Sequence, residues 1–107
     1  MIARHLVKRQ ENGIISTMKI EWDLKKAKSN LKKHGVEFEE AATALSDPMA
    51  VTGADPDHSD YEKRYITFGV SAKIRLLVVS HTEEGENIRI ISARKANKGE
   101  RELYEEG

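Results

Sequence analysis

The chain has 107 residues, 38% of them hydrophobic and 34% charged, with 18 Lys plus Arg against 18 Asp plus Glu and no cysteine. A chain this short fills one core, and the lack of cysteine excludes disulfides and thiolate metal sites. No apolar run approaches the ~18 residues of a membrane span and the first 17 residues lack the apolar stretch of a secretory signal, so a cytoplasmic setting away from membranes is expected.

Residues 1–18 show no clear period, and are expected to be a flexible N-terminal extension to a single domain over 19–107, with a short strand only weakly signalled there. Lys19–Trp22 is a short strand candidate. Asp23 then stands where an N-cap belongs, and its carboxylate can satisfy the first free amides of a helix. Leu24, Ala27 and Leu31 recur at helical spacing, and Gly35 supplies the left-handed residue that ends such a segment, which predicts a helix over Leu24–His34. Phe38, Ala41, Ala42 and Leu45 form a second apolar stripe. Glu37, Glu39 and Glu40 crowd its first turn, where negative charge suits the helix dipole, and Asp47-Pro48 closes it.

Met49–Thr52 has weak strand character, and Gly53–Asp60 reads as a polar loop. Arg64–Val70 alternates, with Ile66, Phe68 and Val70 on one side. Ile74–Ser80 contains Leu76-Leu77-Val78-Val79, the continuous apolar run of a strand covered on both faces. Ile88–Ala93 is β-branched. The short links between these segments predict antiparallel hairpins. Asn97 and Glu100 stand at capping-box spacing and open a last helix over Asn97–Glu106. The expected fold is α+β: an antiparallel sheet of three to four strands with two N-terminal helices and a C-terminal helix packed on one face.

The zero net charge is unevenly laid out. Six lysines fall between Lys19 and His34, eight acids and no Lys or Arg between Glu37 and Glu62, and nine bases against four acids between Lys63 and Arg101. A neutral total therefore does not exclude a nucleic-acid partner, although folding can also bring the blocks together so that they cancel.

Ile20-Glu21-Trp22-Asp23, Lys26-Ala27, Asn30, Lys33-His34-Gly35-Val36 and Phe38-Glu39-Glu40-Ala41 resemble the opening of BrnT-family toxins. Asp47-Pro48, the segment His58-Ser59-Asp60-Tyr61-Glu62-Lys63-Arg64, Gly69, the segment Arg89-Ile90-Ile91-Ser92-Ala93-Arg94-Lys95-Ala96, Glu100-Arg101 and Tyr104 continue the likeness in register. The resemblance implies a RelE-like fold, ribonuclease activity without a cofactor, and a tight complex with a BrnA-type ribbon-helix-helix antitoxin. Operator DNA would be met only through that complex.

Cutting RNA without a metal needs a base for the ribose 2′-hydroxyl, cations for the charge growing on phosphate, and an acid for the leaving oxygen. Arg64 and Arg94, at strand ends, are the candidates for gripping phosphate in two places; the competing reading is that each pairs with an acid. By parity Arg64 points the same way as Ile66 and Phe68, toward the edge of the core face, and Arg94 shares a face with Ile88 and Ile90, so the two are expected to converge on one phosphate. His58 and Glu62, four residues apart, are the candidate proton carriers, and two such ligands are too few for a metal site. Lys33, His34 and Lys95 are candidate RNA contacts, and Trp22 is a candidate for stacking on a base or for a buried place beside the helix start. Two other classes stay open: a non-catalytic module that captures the antitoxin and tunes operon repression, and a toxin with another target such as a topoisomerase, since fold does not fix function.

Overall fold

The computed structural model describes the backbone of residues 2–11, 14–56 and 63–106, and the side chains of these except 7–16. Strands β1 (Ile2–Glu11) and β2 (Ile14–Asp23) precede helices α1 (Leu24–His34) and α2 (Phe38–Leu45). Strands β3 (Val51–Ala54), β4 (Arg64–Val70), β5 (Leu76–Glu84) and β6 (Asn87–Lys95) follow, then helix α3 (Lys98–Glu106). The six strands form one sheet in the order β1-β2-β6-β5-β4-β3. The sheet is mixed: β2 and β6 pair parallel over Lys19–Glu21 and Asn87–Arg89, and all other neighbours are antiparallel. The expectation of three to four antiparallel strands is corrected accordingly. Residues 2–11 and 14–18, expected within an extension, are strand residues, so the expected boundary at residue 18 falls inside β2.

The local signals around α1 act as their chemistry requires. Asp23 accepts hydrogen bonds from the Lys25 and Lys26 amides at 2.8 and 3.1 Å, and Gly35 ends the helix at φ 70°, its N–H donating to Leu31 O. The stripe is displaced from the expected one, however. Leu24 and Leu31 are partly exposed, Ala27 packs on the core, and the one buried residue of α1 is Asn30. The Asn30 amide donates to Val36 O and Ala93 O at 3.0 and 2.8 Å and accepts from the Ala93 N–H at 3.1 Å. It thereby ties α1 to both the start of α2 and the end of β6.

Helix α2 buries Phe38, Ala41, Ala42 and Leu45 as its stripe predicts, and Ala44 with them. Its backbone lies so close to β4 that a Cβ on Gly69 would stand 2.2 Å from Ala44 O, a position that only glycine fills. Buried Glu40 pairs with Arg75 and accepts from Ser71 Oγ at 2.7 Å, while Asp47 accepts from the Val70 N–H at 2.8 Å. The core joins Met18, Ile20 and Trp22 of β2 to Phe38, Leu77, Val79, Ile88, Ile90 and Ala93. Trp22 meets Phe38 edge-on at 6.2 Å. His81, fully buried, continues this face of β5, its Nε2 2.7 Å from Thr67 Oγ1.

Contrary to the expectation of a single helical face, the helices lie on both sides of the sheet. Gly69 and Thr67 face α2, so Phe68, one residue out of phase, points to the other side, where it lines an apolar groove with Val51, Leu103 and Tyr104. Val78, its ladder partner, is buried outside the main core. Helix α3 therefore covers one end of the face opposite α1 and α2, and no other helix among the described residues lies on that face. No helix among the described residues is long and apolar enough to cross a membrane.

Replacing Asn30 by Ala strands three buried backbone groups, and at about 1 kcal/mol or more for each the variant should lose about 2–4 kcal/mol of stability. Urea unfolding followed by circular dichroism measures this, and an unchanged midpoint would show that the clamp is dispensable.

Candidate nucleic-acid interface

Alternation along the strands decides which charged side chains meet. Ile20, Trp22, Ile88 and Ile90 point into the core, so Glu21 and Arg89, between them, project to the open face. The register then aligns one transverse row: Arg4 opposite Glu21, Glu21 opposite Arg89, Arg89 opposite Thr82, and Thr82 opposite Arg64. Five strands contribute one residue each. Neighbouring strands are about 4.8 Å apart, so the row is about 19 Å long with arginines at every second strand. Arg4 Nε and Arg89 Nη2 each stand 3.4 Å from a different oxygen of Glu21. The three side chains are 74%, 50% and 22% exposed in the order Arg4, Arg89, Glu21.

Arg94 also faces this side, against expectation. A bulge lies between Ser80 and His81 of β5, whose partners are Ser92 and Ile90, so Ile91 is the extra residue of β6. The bulge inverts the alternation, and Arg94 leaves the face of Ile88 and Ile90. It does not converge with Arg64. Arg94 is opposite Val78 and Arg64 opposite Thr82, four residues along β5, or about 13 Å, and on opposite flanks of that strand. The Arg94 guanidinium is instead gripped by both oxygens of Glu100 at 2.7 and 2.9 Å. That bidentate bond, together with the Asn97 N–H, holds the Glu100 carboxyl at about 2, far below its ordinary 4.5, and raises Arg94 in turn. Asn97 Oδ1 accepts from the Glu100 N–H at 2.8 Å, completing the expected capping box. Arg94 thus anchors α3 at the sheet.

The other candidates are scattered. Trp22 is 1% exposed, stacked on His5 at 4.7 Å and packed on Phe38, so its ring serves the core and offers no face to a base. Lys33 and His34 come together at the end of α1, beside Ile91 and Ser92, in the helical layer. Lys95, opposite Leu77, emerges exposed on the helix side of the sheet. His58 and Glu62 lie outside the described residues. Among the described residues no three His, Asp or Glu side chains gather at one potential metal position. Glu21, Arg89 and Arg4 were missed by sequence reasoning. Alternation with Ile20, Trp22, Ile88 and Ile90 marks the first two as outward-facing, but only the non-local pairing of β2 with β6 puts them side by side.

The family model described as "Ribonuclease toxin, BrnT, of type II toxin-antitoxin system" matches residues 22–100. The chain is also similar to the ribonuclease toxin BrnT of Brucella abortus, known from a crystal structure at 1.1 Å resolution. The two are 25% identical, with a TM-score of 0.52 over 72% of this chain and 94% of the Brucella chain. No curated protein matches the chain significantly by sequence.

The Glu100 pairing carries a pH signature. Its carboxyl is depressed in the folded state, so the stability it contributes is complete above about pH 4.5 and is lost as pH falls toward about 2. Arg94 is 43% exposed, and solvent screening reduces the contribution to about 1 kcal/mol. Glu100→Gln should lower the urea midpoint at pH 7 and flatten part of the loss between pH 4.5 and 2; the rest of the slope is shared by Glu40, whose carboxyl Arg75 also holds low, and Asp23, held low by the Lys26 and Lys25 amides.

Proposed function

Since the chain belongs to the BrnT family of ribonuclease toxins of type II toxin–antitoxin systems, we propose that it is itself a metal-independent endoribonuclease. By cutting RNA it slows translation and growth, and a ribbon-helix-helix antitoxin of the BrnA type holds it inactive and carries the complex to operator DNA. The observation that carries the ribonuclease reading is the row of arginines across the open sheet face. RNA presents a phosphate at every nucleotide, and the free energy of sequence-tolerant binding comes mainly from pairing those phosphates with Lys and Arg. Guanidinium groups bind two oxygens at once and stay charged at every working pH, which suits them to the extra charge of a pentavalent phosphate.

Arg64, at the start of β4 and in the row with Arg89, is assigned to phosphate contact. Arg94 is assigned a positioning role through Glu100 and α3. The arginine row lies across the sheet face opposite α1 and α2, and RNA is therefore expected to approach over that face.

Purified protein, freed of antitoxin, should degrade single-stranded RNA, and its expression without the antitoxin should arrest growth. Arg64→Ala should lower cleavage by about 10–100-fold, corresponding to one lost charge-assisted contact of ~1.4–2.8 kcal/mol. Binding should weaken steeply between about 50 and 200 mM salt. Intact RNA with unimpaired growth would support a purely antitoxin-binding module, and intact RNA with damaged DNA a toxin with another target.

A further inference from the structure

We propose that Glu21 is the proton acceptor in RNA cleavage, with Arg89 and Arg4 holding the scissile phosphate beside it; this rests on the ribonuclease reading above. Three Arg–Glu sets occur among the described residues, and their geometry separates them. Glu40 is buried and closed by Arg75 and Ser71. Glu100 is closed by the bidentate grip of Arg94. Both serve structure: one seats α2 on the β4–β5 turn, the other seats α3.

Glu21 differs in each respect. It has an arginine on either side, each making one contact at 3.4 Å, the long end of hydrogen bonding. A guanidinium has five N–H donors, and one long contact leaves most of them for another anion. Both guanidiniums are at least half exposed. The carboxylate borders an open cavity of about 520 Å³ lined by Arg4, His5, Leu6, Lys19, Glu21 and Asn87. A phosphate drawn between Arg4 and Arg89 brings its ribose 2′-hydroxyl within reach of a carboxylate that those same arginines hold in place. The remaining arginine of the row, Arg64, lies two strands beyond Arg89, about 10 Å away, on the track of an RNA strand crossing the sheet.

In the step itself the 2′-O–H proton passes to a Glu21 oxygen while the O2′–P bond forms and the P–O5′ bond breaks. The leaving O5′ takes a proton from water, and Glu21 returns its proton to the hydroxide so formed. The products are a 2′,3′-cyclic phosphate and a 5′-hydroxyl, with no oxidant, reductant or further reactant consumed. General-base catalysis of this kind contributes about 10²–10⁴-fold to rate.

The test compares full-length wild type, Glu21→Gln, Glu21→Asp and Arg89→Ala on a single-stranded RNA oligonucleotide, with fold checked by circular dichroism and affinity by fluorescence anisotropy. Glu21→Gln should cut about 100-fold or more slowly while binding RNA at least as tightly as wild type, since a neutral amide no longer competes for the arginines. Glu21→Asp, which keeps the carboxylate on a shorter arm, should cut faster than Glu21→Gln. A structural role would reverse that order, because Gln preserves the size of Glu. Arg89→Ala should weaken binding and cleavage together. Wild-type products should end in a 2′,3′-cyclic phosphate. Cleavage by Glu21→Gln at the wild-type rate, or the reversed Asp and Gln order, overturns the assignment of Glu21 while leaving the ribonuclease reading intact. A wild type inert on RNA overturns both.

Discussion

Three residues of parallel pairing, Lys19–Glu21 against Asn87–Arg89, hold the two halves of this molecule in register. On one side lies the β1–β2 hairpin; on the other, the meander of β3 to β6. The pairing sets Ile20 against Ile88 inside the core and, one residue on, Glu21 against Arg89 outside it. A strand's side-chain period is two, so a slip of one residue would expose the isoleucines and bury the charges together. The hydrophobic requirement of one face therefore fixes the arrangement of ions on the other. The Asn30 clamp supports the same joint from the helical side, since its partner Ala93 belongs to the strand that β2 must meet.

A sheet with one face packed under helices and the other partly bare sorts its ion pairs by function. Where helices or turns close over it, as at Glu40 and Glu100, a carboxylate is fully engaged and its proton affinity falls. Such pairs hold elements in place and offer little to a ligand, because removing one partner leaves the other shielded and unsatisfied. On the bare part of the sheet the contacts lengthen, and the guanidiniums keep donors turned to solvent. The apolar groove under α3 has the same origin, since Val78 and Phe68 need cover on a face that the main core does not reach.

What could be read from the sequence was what short segments decide for themselves. The Asp23 cap, the Gly35 stop, the stripe of α2 and the Asn97–Glu100 capping box each depend on residues within a turn or two, and each is present. The run Leu76–Val79 correctly implied a strand covered on both sides, with Leu77 and Val79 in the core and Val78 behind it. What failed were inferences carried across distance. One extra residue, Ile91, inverted the face assigned to Arg94, because parity is counted along a strand and a bulge has no signature in Ile90-Ile91-Ser92. The edge strand β1, whose Ala3-Arg4-His5-Leu6 mixes polar and apolar types, shows its strand character only in its pairing with β2. The burial of Asn30 is legible only once Ala93 and Val36 are placed around it.

The neutral total charge also takes on a physical meaning at this level. Charge summed along the chain describes long-range attraction, whereas a phosphate a few ångströms away responds to the groups that face it, since exposed charges beyond about 10 Å are largely screened. The row on the open face collects Arg4, Arg89 and Arg64 from segments more than 20 residues apart in sequence. Acids consumed in closed pairs, such as Glu40 and Glu100, count in the total but have little left to repel an anion at the sheet. Glu21 is the acid that the row retains, and it stands between two cations that balance it. A carboxylate in the middle of an anion-binding face would be an electrostatic liability for a protein that only held RNA; for one that cuts RNA, it is a base at the place where the 2′-hydroxyl must lose its proton.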